Sequence, residues 1–145
     1  MERIEALHRQ LEKLMYGHNY DVSFHFHLFT NCQNTTDFDK EIKANCSEFY
    51  DESNCVIIRD VNDFWDQINF ALTFRGDEGA GLSLTQSEEN ELDIVQQEYR
   101  NFINGFISPE TKILDCPTGQ GIFWGYNLFL KNLDQSLHIS AFADD

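Results

Sequence analysis

Residues Ser83–Phe106, SLTQSEENELDIVQQEYRNFINGF, decide the fold class of this chain. The hydroxyl of Thr85 can cap a helix while Glu88, three residues on, reaches back to the cap's own amide, so a helix is expected to begin near Gln86. Leu92, Val95, Tyr99, Phe102, Ile103 and Phe106 recur at three- and four-residue steps and make one apolar stripe. Asp93, Gln96, Gln97, Arg100 and Asn104 are expected to turn away from it. Gly105 and the Ser108-Pro109 pair supply a stop, because proline cannot continue the hydrogen-bond ladder. Glu88, Glu89 and Glu91 lie in the first turns, where the helix dipole favours an exposed anion by roughly 0.3–1 kcal/mol.

A helix with one apolar face needs a surface to pack on, and the flanking sequence offers strands. In Asp21–Phe29, Val22, Phe24, Phe26 and Leu28 alternate with Ser23, His25 and His27, the period of a strand with one buried face. Leu137, Ile139 and Ala141 alternate with His138 and Ser140 in the same way. Tyr126–Leu133 and Ser136–Phe142 read as an antiparallel pair around Asn132–Gln135. Lys112–Cys116 reads as a strand before a Pro117–Gly121 turn, and Cys55-Val56-Ile57-Ile58 as a short buried strand. Ile4, Leu7, Leu11 and Leu14 mark a first helix, ended by Gly17 and Asn19. Phe38, Ile42 and Phe49 mark another, and Phe64, Trp65, Ile68 and Ala71 or Leu72 a third, capped by Asn62 or Asp63, although INFALTF (residues 68–74) reads equally as a strand. Gly76, Gly79 and Gly81 enclose Asp77 and Glu78 in a loop ahead of the quoted stretch. The expectation is a single α+β domain spanning residues 1–145, with an antiparallel or mixed sheet and three to four helices.

With 25 acidic against 10 basic residues the net charge is −15. Nucleic acid and anionic membrane are repelled by such a surface, so a macromolecular partner is expected to be basic. The field is strongest in residues 61–100, which hold nine acids and two bases. The 13 Phe, 5 Tyr and 2 Trp supply the apolar burial that a disordered chain lacks. MERIEALHRQLEKL is charged and amphipathic and does not read as a signal peptide, and no apolar run approaches the 18 or so residues of a membrane span. A cytoplasmic protein is expected. The four cysteines, Cys32, Cys46, Cys55 and Cys116, show no CxxC spacing and read as reduced thiols.

His25 and His27 share one strand face, a spacing that lets two imidazoles converge on a metal with Cys32 or His138 as completing ligands. An outward, solvated face needs no metal, and no metal or cofactor is expected. His138-Ile139-Ser140 resembles the His-x-Ser half of two-histidine phosphoesterases. That family pattern requires a second copy, and His25-Phe26-His27-Leu28-Phe29-Thr30 places no hydroxyl two positions after either histidine. Asp115–Gly121 lacks the lysine of a phosphate loop.

Catalysis by a small hydrolase using His25, His27 and His138 is therefore the alternative reading, and partner binding the first. In class and composition the chain resembles bacterial immunity proteins, acidic proteins that block a cognate nuclease toxin. The resemblance implies a basic toxin as partner. A nucleic-acid mimic blocking a defence enzyme is a related form. On either form the expected attracting patch is Asp77, Glu78, Glu88, Glu89, Glu91 and Asp93, with Phe74 as an aromatic anchor.

Overall fold

A computed structural model describes residues 2–15, 21–30, 55–73, 83–116, 124–133 and 135–144, together with Lys40 and Lys43; Asp21–Thr30 is described by its backbone. The elements in order are α1 (Glu2–Met15), β1 (Asp21–Thr30), β2 (Val56–Ile58), α2 (Val61–Thr73), α3 (Gln86–Asn104), β3 (Lys112–Asp115), β4 (Trp124–Lys131) and β5 (Gln135–Asp144). Phe38, Ile42 and Phe49 of the expected second helix lie outside the described residues, while Lys40 and Lys43 within it are helical; the glycine loop and the Pro117–Gly121 turn also lie outside the described residues.

The fold is α+β. Among the described residues five strands form one sheet in the order β1-β5-β4-β3-β2, and each of these pairings is antiparallel. The alternation in β4 and β5 sets the register: Tyr126, Leu128 and Leu130 stand opposite Ala141, Ile139 and Leu137. A slip of one residue would turn all six away from the core, which is why this pairing is firmly specified. Against this face pack Ile4, Leu7, Leu11 and Leu14 of α1, Phe64, Ile68 and Leu72 of α2, and Leu92, Val95, Tyr99 and Ile103 of α3. Among the described residues no helix is long and apolar enough to cross a membrane.

The start of α3 follows its sequence closely. Thr85 Oγ1 accepts from the Glu88 amide at 3.2 Å, and Glu88 Oε1 accepts from the Thr85 amide at 3.1 Å. Thr85→Ala removes one bond of this reciprocal pair and is expected to cost about 1 kcal/mol, read from urea unfolding followed by circular dichroism. At the other end Gly105 keeps right-handed geometry, with φ −63° and ψ −17°, so its conformational freedom is not used. Asn132 Nδ2 donates to Phe106 O at 2.8 Å and ties this end to the β4–β5 connection.

Three expectations need correction. α2 begins at Val61, two residues before the earliest expected start, and is capped by Asp60, whose carboxylate accepts from the Asn62 amide at 2.9 Å; neither Asn62 nor Asp63 is the cap. β2 is not a buried strand: Val56 is 66% exposed and Ile57 44%, because β2 lies at the end of the sheet order. Cys55 and Cys116 are not reduced thiols but a disulfide, joining positions next to the Val56–Asp115 pair of β2 and β3.

Candidate partner-binding surface and histidine face

The acids of α3 separate around the helix, because successive residues are about 100° apart. Glu88, Glu91 and Glu98 look toward α1, where Arg3 reaches Glu98 at 3.4 Å. Glu88 is held below the usual carboxylate range, first by the Thr85 backbone amide and then by the Thr85 hydroxyl, with Lys13 nearby adding to the effect. Its charge serves the helix start. Glu89 and Asp93 lie toward the α2 side, where Arg100 Nε donates to Asn69 Oδ1 at 2.7 Å. Glu91 and Asp93 are exposed, and Glu89 is half-buried. The four expected acids of α3 therefore do not form one patch. Phe74, Asp77 and Glu78 lie outside the described residues.

Two residues expected on the solvent face of α3 are not there. Gln96 is 7% exposed and donates through Nε2 to Leu72 O at 2.6 Å, and Arg100 is half-buried by its bond to Asn69. Both are claimed by α2, which widens the buried face of α3 beyond its apolar stripe. Asn90, Ile94, Gln97 and Asn101 make its outermost line, with Ile94 61% exposed.

A tighter patch lies on α2 and was missed in the sequence. Asp63, Asp66 and Phe70 fall three and four residues apart, opposite the Phe64–Ile68–Leu72 core line, so they share one outward face. Phe70 is 59% exposed. The signal was the spacing Asp63-x-x-Asp66-x-x-x-Phe70, obscured because INFALTF reads equally as a strand.

On the second face of the sheet the described residues of its centre are also buried. Leu114, Phe129, His138 and Ser140 are each 7% exposed or less, which overturns the solvated reading of the His138–Ser140 face. Antiparallel pairing sets His27 opposite His138 and His25 opposite Ser140, so the three histidines share a sheet face by register. The ring of His138 stacks on Phe129 with centroids 4.4 Å apart, and its Nε2 lies 2.6 Å from Asn127 Oδ1. Among the described side chains no three His, Cys, Asp or Glu groups gather to hold a metal. A groove of ≈ 580 Å³ lies elsewhere, between Ile58, Asp60, Val61, Ile107, Pro109 and Ile113. No histidine or cysteine lines it, so it does not assemble the catalytic trio.

These features define a small acidic α+β protein: among the described residues α1, α2 and α3 pack on one face of an antiparallel sheet, with an acid–aromatic patch on the outer side of α2. Its fold is similar to that of citrus MAF1. One crystal structure of that protein matches with a TM-score of 0.60 at 9% identity, covering 94% of this chain and 96% of that chain. A second, in another space group, matches with a TM-score of 0.53 at 12% identity, covering 94% and 98%. At these identities the likeness is one of fold. No protein-family model and no curated protein matches the sequence.

Proposed function

We propose that this chain is a MAF1-type protein that acts by binding, and that it inhibits a basic protein which handles nucleic acid. The observation that carries the reading is Phe70, an exposed ring on the same outward face as Asp63 and Asp66. Enzymes that grip nucleic acid present cationic clefts, and a chain of net charge −15 is drawn to such clefts. Opposed charge raises the association rate, while a desolvated aromatic supplies most of the affinity. An acidic face seated in the cleft excludes nucleic acid from it. A nuclease toxin held by an immunity protein is one case of this mechanism, and a defence enzyme blocked by a nucleic-acid mimic is another. The likeness to citrus MAF1 along nearly the whole of both chains supports the fold part of the proposal.

Comparing quantitative capture at low salt by the wild type and by Asp63→Lys/Asp66→Lys/Phe70→Ala tests it. A basic nucleic-acid-binding protein is expected on the wild type, released as salt rises, and bound at least ~10-fold more weakly by the variant. Equal capture of the same partner by both proteins, with the same salt dependence, overturns it.

A further inference from the structure

The backbone of β2 directs hydrogen-bonding groups away from the sheet. Cys116 N donates to Asn127 O at 3.0 Å, so the main chain of Cys116 faces β4. Successive residues of a strand turn their amide and carbonyl to opposite sides, so Leu114 also faces β4 while Asp115 and Ile113 face β2. The register sets Val56 opposite Asp115 and Ile58 opposite Ile113, and these two residues therefore make the bonds to β3. Ile57 between them turns its amide and carbonyl outward, where among the described residues no strand pairs with β2.

Sheet edges are ordinarily blunted by charge, proline or a bulge. Val56-Ile57-Ile58 carries neither charge nor proline, and Val56 and Ile57 are 66% and 44% exposed. The Cys55–Cys116 bond fastens this short strand, so it is held extended before any ligand arrives. Beside its C-terminal end lies the groove of ≈ 580 Å³, whose apolar wall is made by Ile58, Val61, Ile107, Pro109 and Ile113. Extended peptides add to a sheet edge by this combination, main-chain bonds giving affinity and pockets for alternate side chains giving selectivity.

We infer that β2 receives an extended basic peptide segment as a further strand, held by the Ile57 amide and carbonyl and anchored by an apolar side chain in the groove. Charge selects the occupant. A second copy would bring another −15 to a chain of net charge −15, whereas a basic segment is attracted. At the groove itself Asp60 and Glu110 are exposed acids, against exposed Arg59. The inference does not rest on the partner-binding proposal: its probe is a free peptide, and Asp63, Asp66 and Phe70 stay unchanged in its test.

Fluorescein-labelled KVKVKVK, whose alternation puts every valine on one face, is titrated into the full chain and followed by anisotropy. Saturable binding is expected, with EVEVEVE bound at least ~10-fold more weakly. Amide hydrogen exchange at Ile57 is expected to slow in the complex. Ile57→Pro removes the outward donor and spares the bonds to β3, since a strand tolerates proline where its amide faces outward. It is expected to weaken binding about 3–10-fold with circular dichroism unchanged, whereas Ile57→Val binds as the wild type does. Val61→Lys sets a charge in the groove and is also expected to weaken binding. No saturable binding of KVKVKVK up to about 1 mM overturns the inference, as does equal affinity of the wild type and a folded Ile57→Pro. Should Ile57→Pro unfold, unchanged exchange at Ile57 in the wild-type complex overturns it. Dimerisation of the free chain with slowed Ile57 exchange would make a second copy the occupant and overturn it equally.

Discussion

Tyr99→Ala is expected to destabilise the protein by about 3–5 kcal/mol, the range for deleting a fully buried aromatic ring. Tyr99 is 0% exposed at the centre of α3, with the ring of His8 tilted against it at 5.3 Å, and its hydroxyl meets that of Tyr126 at 2.9 Å. The pair joins helix layer to sheet, so truncation opens a cavity where neither layer can collapse independently. Tyr99→Phe isolates the polar part. It leaves the buried Tyr126 hydroxyl without this partner and is expected to cost about 1–3 kcal/mol, while Tyr99→Phe/Tyr126→Phe recovers most of that loss. Urea unfolding of Tyr99→Phe, Tyr126→Phe and the double variant closes the cycle; additive losses would show that the two hydroxyls do not interact.

The same pair gives the protein an alkaline limit. Burial pushes both hydroxyls above the ordinary tyrosine value, and for Tyr126 its neighbour Tyr99 adds to the rise. In the unfolded chain tyrosine ionises near pH 10, so below that pH the stabilisation is complete. As pH rises further, the unfolded state loses protons that the folded state retains, and stability falls. Tyrosinate absorbance from these two residues should therefore appear together with unfolding.

Removing the Cys55–Cys116 bond is the second change with a large expected effect. It closes a sequence separation of 61 residues, and a loop of that length corresponds to about 4 kcal/mol in the chain-entropy account. Cys55→Ser/Cys116→Ser is expected to lower the urea midpoint accordingly, and reductant to do the same to the wild type. Reductant should leave the double variant unchanged. The loss should be concentrated at β2, a three-residue edge strand with Val56 and Ile57 exposed, which the bond fastens to β3. Hydrogen exchange at β2 and β3 would show it.

Several misreadings share one cause. Val56-Ile57-Ile58 is as apolar as a central strand, yet its exposure depends on whether another strand lies beside it. Gln96 and Arg100 look solvent-facing on a helix considered alone, and α2 buries or half-buries them. His138 and Ser140 alternate with a core line as surface residues do, but their sheet face is covered too. Cys55 and Cys116 show no pairing pattern along the chain because their proximity comes from β2 meeting β3. The outward face of α2 behaved similarly: Asp63, Asp66 and Phe70 had the spacing of one helix face, but the alternative strand reading concealed it.

By itself the sequence determined what depends on neighbours a few residues away. The Thr85–Glu88 capping box, the stripe from Leu92 to Ile103 and the alternation in β1 and β5 are local patterns, and they established an acidic α+β fold with a helix near Gln86. Only the tertiary structure decided which faces are covered, which cysteines pair, and that His27 stands opposite His138. Those outcomes depend on strand order, register and the packing of α2 against α3, and no short stretch of sequence contains both partners.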